Sequence, residues 1–446
     1  MTLRVAVVGA GPAGIYAADI LTKSEADVSV DLIERLPAPF GLVRYGVAPD
    51  HPRIKEIIKA LQRIIAKPEV RLLANVDLGN DLKVEELREF YDAVIIATGA
   101  MADRDLNVPG EDLKRSYGAA DFVSWYDSHP DVAQTWDFGD GTHTAVIGVG
   151  NVALDVARVL AKTADEMLVT DIPPQVYAGL KSKKITDVHV FARRGPAYAK
   201  FSPMELRELN HSPNVEVIVH PEGFEVDDHS MEHIAKHKTH KLVLDILANW
   251  VGRDLEGKPH RIHLHFMESP TEILGEDGEV VGLRTERTEL VGDGSVRGTG
   301  QFTDWPVQSV YRAVGYASSA LPDVPFDSRN LVIPNEGGRV LDLDGNPIPG
   351  TFVTGWIKRG PVGLIGHTKS DAAETVGHVL ADTTETATAR TTDDVDAFLR
   401  ERGVDFITIE DWERIDAHEI SLGEAEQRLR VKLPTREQMI GAARDA

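Results

Sequence analysis

The stretch that decides the fold is Leu3-Arg4-Val5-Ala6-Val7-Val8-Gly9-Ala10-Gly11-Pro12-Ala13-Gly14. The largely apolar run 3–8 stops at a glycine cluster, as a buried parallel strand does. Ala13–Lys23 then predicts a helix, and Val28–Ile33 a second strand ending at Glu34, which together make a βαβ unit. Gly9, Gly11 and Gly14 complete G-x-G-x-x-G, whose glycines allow a tight turn, close backbone approach to a pyrophosphate and tight helix–strand packing. The helix N-terminus beyond offers partial positive charge to phosphates. Glycine turns are common, so context decides. Here a strand precedes, a helix follows, and Glu34 is placed to accept hydrogen bonds from ribose hydroxyls. An acid there suits a free ribose, as in FAD or NAD, over a 2′-phosphate.

A second cluster, Gly148-Val149-Gly150-Asn151-Val152-Ala153, lies about 140 residues on, between an apolar run (Thr144–Ile147) and a helical one (Val152–Ala161). Alanine replaces the third glycine. The next strand, Val188–Ala192, ends on Arg193-Arg194 where the first unit had its acid. Two guanidiniums there suit bidentate contact with a 2′-phosphate, and so NADP(H). The competing reading is a solvated arginine pair on a surface turn. Residues 163–186 lengthen this unit and blur its alignment. Thr98-Gly99 at one strand end, and Gly355-Trp356 after the strand Thr351–Thr354, are placed to meet the first nucleotide again. The expectation is an α/β chain with two Rossmann-like dinucleotide-binding domains, the NADP domain inserted in a discontinuous FAD domain. Its boundaries are 1–105, 106–320 and 321–446.

The composition narrows the chemistry. A chain of 446 residues, 42% hydrophobic and 27% charged, is an ordinary globular protein of two to four domains. Its formal charge of −23 argues against nucleic acid as a partner. Cysteine is absent, which excludes disulfides, thiolate metal sites, Cys-ligated clusters and a redox C-x-x-C from this chain. Redox chemistry must then sit on a bound organic cofactor. The apolar stretch Val5–Leu21 is punctuated by Gly9, Gly11, Pro12 and Gly14, so no membrane insertion and a cytoplasmic location are expected. Residues 35–52, rich in Pro and Gly, read as a long functional loop. Helices are expected over 54–66 and, basic and His-rich, over 231–249. Another is expected from about Thr368, and two or three in the acidic tail after Thr384.

Five segments then resemble the adrenodoxin reductase-like ferredoxin–NADP⁺ reductases, flavoenzymes of the glutathione reductase type. They are VVGAGPAG (7–14), PFGLVRYGVAPDHP (39–52), VIGVGNVALDVAR (146–158), FARRGP (191–196) and GWIKRGPVGLIG (355–366). The resemblance implies FAD against Gly9, Gly11, Pro12, Ala13 and Gly14, with Glu34 at its ribose and Leu42, Val76, Thr98 and Gly99 lining the site. Gly355, Trp356, Gly363, Leu364 and Ile365 would cover the isoalloxazine. NADP would meet Gly150, Asn151, Val152, Ala153 and Glu205, with Arg193 and Arg194 on the 2′-phosphate and Gly363 on the nicotinamide side. Two-cofactor relatives usually carry Asp after the glycine at 355. Here Trp356 stands there, which separates the chain from thioredoxin reductase-like proteins.

The implied activity is that of a ferredoxin–NADP⁺ reductase (EC 1.18.1.-). NADPH gives hydride to the flavin, which passes single electrons to a ferredoxin-type protein. A flavin subunit of a larger reductase, or a non-enzymatic FAD-binding sensor or scaffold, are the alternatives. The absence of cysteine weighs against the first, and the Arg193-Arg194 pair against the second. His51 is expected near the flavin, with Asp155 or Glu208 as polar neighbours. It either relays a proton or fixes the loop. The basic run 233–241, with Lys236, Lys238 and Lys241 at helical spacing, together with Arg207, is either a solvated face or a docking patch for an acidic ferredoxin. His263 and His265 have no carboxylate or Cys at ligand spacing along the chain, and no metal is expected.

Overall fold

The computed structural model describes residues 2–363, 365–383 and 394–445. Internal contacts divide the chain into two units. The first comprises 1–102, 127–131 and 316–446, and the second 103–126 and 132–315. The sequence reading placed the cuts at 105/106 and 320/321; the short return of 127–131 to the first unit has no counterpart in it. Its cause is polar: Lys432 reaches the Asp127 carboxylate (2.9 Å), and Arg436 reaches Asp131 (2.5 Å). His129 lies on the Tyr45 ring, with centroids 5.1 Å apart.

In the first unit, strands Pro347–Val353, Ala93–Ile96, Leu3–Val8, Val28–Glu34 and Val70–Ala74 lie side by side and parallel, with an antiparallel pair on the outer edge. The first strand is central and fully paired, and Val5 and Val7 are wholly buried, which is why it reads as continuous apolar sequence. The chain leaves it to one side for Val28–Glu34 and returns on the other at Ala93–Ile96. That makes its carboxyl end the topological switch point, where such sheets take ligands. Helix Pro12–Thr22 starts there. Among the described residues the tail carries three helices, Val395–Glu401, Ile409–Ala425 and Arg436–Arg444. Trp412, Ile415 and Met439 join the core built by the first strands.

The second unit carries a six-stranded sheet in the order Ser116–Gly118, Val310–Arg312, His143–Ile147, Asp187–Ala192, His260–Phe266 and Val215–Val219. All its pairings are parallel. A separate antiparallel meander, Glu268–Glu276, Glu279–Leu290 and Val296–Trp305, packs Ile273, Val280 and Leu283 on its Ala145, Ile147 and Phe191.

Three local expectations need correction. The loop 35–52 holds a helical turn, Leu42–Tyr45, because LVRY sits between Gly41 and Gly46 and buries Val43, Arg44 and Tyr45. The helix expected over 54–66 is two pieces, Pro52–Lys55 and Ile58–Ile65. The helix expected over 231–249 breaks at His237 (φ −126°, ψ 88°) into Asp228–Lys236 and Lys238–Ala248. Lys236 therefore does not share a helix with Lys238 and Lys241.

Candidate functional site

The first glycine loop is shaped by what its glycines must avoid. A side chain on Gly9, at φ +110°, would meet the Ala97 carbonyl at 2.5 Å, and one on Gly14 the Gly9 carbonyl at 2.0 Å. These two positions let helix and strands approach. Gly99 is different: a Cβ there would find nothing within 4 Å. Gly11 faces only the Gly41 Cα at 3.9 Å. The cradle around Gly11 and Gly99 is thus open on the side where a pyrophosphate would lie, next to the N-terminus of an 11-residue helix.

Glu34 organises this cradle. One carboxylate oxygen accepts the Ala10 N–H (2.8 Å) and the other the Leu36 N–H (3.0 Å). Its carbonyl accepts from Val76 (2.9 Å). Burial pushes the carboxyl up from its ordinary value, partly countered by those N–H donors. Each oxygen keeps lone-pair capacity for a ribose hydroxyl, so the residues fit the nucleotide they were expected to hold. Val76 differs from expectation in detail. Its side chain is buried in the core and its N–H is spent on Glu34, so only its carbonyl can face a ligand.

The loop 35–52 closes on the cradle. Phe40, at φ +84°, donates its N–H to the Ala10 carbonyl (2.8 Å), and half-buried Leu42 opens the helical turn. Reading the sequence missed what holds this loop. Arg44 and Glu419 form a bidentate ion pair (3.0 and 2.5 Å) with side chains only 3% and 0% exposed. Lys432 donates to the Arg44 carbonyl (2.7 Å) and to Asp127. Burial alone would push the Glu419 carboxyl up; the Arg44 charge outweighs it and holds the group below its ordinary range. The tail thus clamps the loop. No spacing rule links residue 44 to residue 419.

Gly355, at φ +80°, brings its Cα so close to Ala13 that a Cβ would lie 2.7 Å from the Ala13 Cβ. The strand Pro347–Val353 therefore does return to the glycine loop. Asp371, a second residue the sequence did not flag, accepts the Gly355 N–H (2.6 Å) and pairs with Lys358 (3.1 Å). Trp356 stacks on Tyr316 with centroids 6.1 Å apart. Gly363 is exposed and at φ +92°. Leu364 lies outside the described residues, and Ile365 opens the helix Ile365–Thr383. Thr98 is exposed beside Gly99, and His51 is buried at the head of Pro52–Lys55.

In the second unit, a Cβ on Gly148 (φ +146°) would meet the Ala313 carbonyl at 2.2 Å, whereas one on Gly150 would meet nothing within 4 Å. Gly150 caps the helix Asn151–Ala161, and Ala153 fits buried in its first turn. The following loop folds over this cradle: Lys200 donates to the Val149 carbonyl (2.8 Å), and Asn151 Oδ1 accepts the Ser202 N–H (2.8 Å). Arg193 is exposed, with its carbonyl held by Thr288 (2.7 Å). Arg194 lies over the Tyr198 ring at 4.9 Å. Among the described residues neither guanidinium has a carboxylate partner, an arrangement open to an anion. Asp155 pairs with Arg158 (2.8 Å), and buried Glu205 faces the same arginine at 4.0 Å. His51 belongs to the first unit, whereas Asp155, Glu205 and half-buried Glu208 belong to the second.

Comparison with known proteins bears on this geometry. Residues 3–254 match the family model for pyridine nucleotide-disulphide oxidoreductases. The chain is 41% identical to the NADPH-ferredoxin reductase FprA of Mycobacterium tuberculosis, covering 96% of each. It is 37% identical to the mitochondrial NADPH:adrenodoxin oxidoreductase of Arabidopsis thaliana, covering 99% of this chain and 95% of that one. The solved structure of M. tuberculosis FprA in complex with NADPH superposes with a TM-score of 0.93 at 38% identity, over 99% of this chain and 100% of that one. The chain belongs to the pyridine nucleotide-disulphide oxidoreductases, among the NADPH-ferredoxin and adrenodoxin reductases. As a member, it is an α/β flavoprotein oxidoreductase that uses FAD and NADP(H).

Within this reductase the basic run takes a place the sequence could not give. His233 packs on the Tyr198 ring (4.9 Å), over which Arg194 also lies, so the run neighbours the arginine pair. Helix Pro203–Glu208, which carries exposed Arg207, packs on Lys238–Ala248. Lys241 is paired with Asp245 (2.9 Å), whereas Lys236, Lys238 and Arg207 have no carboxylate partner among the described residues. His263, with no carboxylate at ligand spacing along the chain, has one in space: Asp187 Oδ1 lies 2.9 Å from its Nε2. The partner comes from the neighbouring parallel strand, where spacing along the chain does not reach.

Proposed function

We propose that the chain carries electrons from NADPH through FAD to an acidic ferredoxin-type iron–sulfur protein, in the cytoplasm. One observation carries the cofactor assignment: two open glycine cradles in one chain end their second strands differently, on Glu34 in one and on Arg193-Arg194 in the other. FAD supplies the exchange between two-electron hydride chemistry and one-electron transfer. The protein's part is positioning. Glu34 and the helix beyond Gly11 hold one nucleotide, the Arg193-Arg194 pair selects the phosphorylated ribose of the other, and the clamped loop 35–52 shields the first cradle. No protein nucleophile is required. His51 is the candidate for proton movement. Its test is whether His51→Gln shifts the pH profile of turnover as well as its rate.

Docking is the finer part of this reading. A chain of charge −23 repels an acidic partner at long range, so a local patch must steer it. The exposed Arg207, Lys236, Lys238 and Lys241 supply one. Lys238→Glu with Lys241→Glu is expected to slow ferredoxin reduction in an ionic-strength-dependent way, since exposed charges are screened over about 8–10 Å at physiological salt. Reduction of a small artificial acceptor by NADPH should be unchanged. Equal ferredoxin rates for wild type and double reversal at low salt would return this run to a solvated face. No helix among the described residues is long and apolar enough to cross a membrane.

A further inference from the structure

The parallel sheet of the second unit carries an array of histidines that the proposed function does not draw on. Register brings them together: His263 sits opposite His189, and Asp187 opposite both His143 and Arg261. Residues alternate faces along a strand. Residues 143, 187, 189, 263 and 265 therefore share one face, and His220 joins it just past the end of Val215–Val219. His189 Nδ1 lies 3.0 Å from His265 Nε2, and His263 Nδ1 lies 3.1 Å from His220 Nε2. One ligand nitrogen from each of His189, His263 and His265 falls within 4.8 Å of the others. Outside this group, Asp187 holds His263 Nε2 at 2.9 Å, and His143 lies 3.1 Å from His189 Nε2.

We propose that His189, His263 and His265 form a three-histidine binding site for a divalent transition ion of the zinc class that pins the strands Asp187–Ala192 and His260–Phe266 together. Three observations favour it. First, the donor set is nitrogen only, which suits Zn²⁺, Ni²⁺ or Cu²⁺ over Mg²⁺ or Ca²⁺. Second, the spacings are near those needed. Zinc–nitrogen bonds of about 2.0–2.1 Å put tetrahedral ligands about 3.4 Å apart; the His189–His265 pair at 3.0 Å comes within a small ring rotation of that, and His263 lies within 4.8 Å of both. Third, the outer partners are in place. A carboxylate on the far nitrogen of His263, and an imidazole on that of His189, orient the rings and fix their tautomers, as partners behind metal-bound histidines do. The competing arrangement, neutral imidazoles bonded only to each other, satisfies the same nitrogens without a metal.

The experiment uses the untagged holoenzyme, stripped with EDTA and dialysed against Zn²⁺ in the presence of a competing chelator, with zinc counted per chain. One zinc per wild-type chain is expected, with a thermal midpoint raised by several degrees. His265→Gln and His189→Gln should each weaken binding at least tenfold. A variant of the second histidine cluster, His233→Gln with His237→Gln, should keep it. NADPH-driven reduction of an artificial acceptor reports that each variant is folded and should not change. Absence of stoichiometric zinc in the wild type would overturn the proposal without recourse to any variant. Zinc lost from the His233→Gln, His237→Gln protein and kept by His265→Gln and His189→Gln would overturn it equally.

Discussion

The clamp between loop and tail can be broken with a single substitution. Glu419→Ala removes both acceptors of the Arg44 guanidinium, whose side chain is 3% exposed, and leaves that charge buried without its carboxylate. Breaking such a pair from one side costs about 3–5 kcal/mol. For a unit of this size that lowers the midpoint on the order of 10 °C. The Leu433 N–H, which gives 2.9 Å to Glu419, is orphaned too, whereas Arg430 retains Asp416 (2.6 Å). The double variant Arg44→Met, Glu419→Leu removes both charges and keeps the volume. It should recover all but the roughly 1–3 kcal/mol of the unpaired N–H. The assay is urea unfolding followed by flavin fluorescence, which also reports FAD release. Glu419→Ala should lose FAD at lower urea than wild type, with the double variant between them. A double variant as unstable as the single would show that the uncompensated guanidinium is not the cause. Unaltered FAD release in Glu419→Ala would show that the tail does not hold the loop.

Other outcomes follow from the same geometry. Glu34→Ala should lower FAD content after gel filtration, because the ribose and two backbone N–H groups lose their acceptor; full occupancy would place the ribose contact elsewhere. Arg193→Ala with Arg194→Ala should raise KM for NADPH over that for NADH by roughly tens- to thousands-fold, from charge-assisted bonds of about 1.5–3 kcal/mol each. Unchanged discrimination would remove the pair from the site. Burial pushes the His129 imidazole down to about 4, so the unfolded chain takes up this proton first as the pH falls. It has no effect above about pH 6.5 and destabilises the fold progressively as the pH falls towards 4, by about 2 kcal/mol at pH 5. His129→Gln should flatten the dependence of the urea midpoint on pH across that window, and an unchanged slope would locate the acid sensitivity elsewhere.

What could be read without coordinates was what local rules encode. Strand, glycine turn, helix and second-strand end recur at short spacing, so both cradles and the contrasting Glu34 and Arg193-Arg194 were visible. The helical turn at Leu42–Tyr45 was hidden because proline and glycine around it signal a loop. The break at His237 was hidden because a basic amphipathic run continues through it. Long-range polar partners were out of reach for a plainer reason. Arg44 meets Glu419, Gly355 meets Asp371 on the helix Ile365–Thr383, and His263 meets Asp187 across a parallel pair. Each depends on topology rather than on spacing along the chain.

The central claim is that one chain holds FAD and is reduced by NADPH in preference to NADH. Anaerobic addition of each nicotinamide to the purified protein, followed by its visible spectrum, tests it most directly. The account predicts a yellow protein whose flavin band bleaches with about one equivalent of NADPH and far more slowly with NADH. A colourless protein that FAD cannot reconstitute, or a flavin band that NADPH leaves untouched, would contradict it.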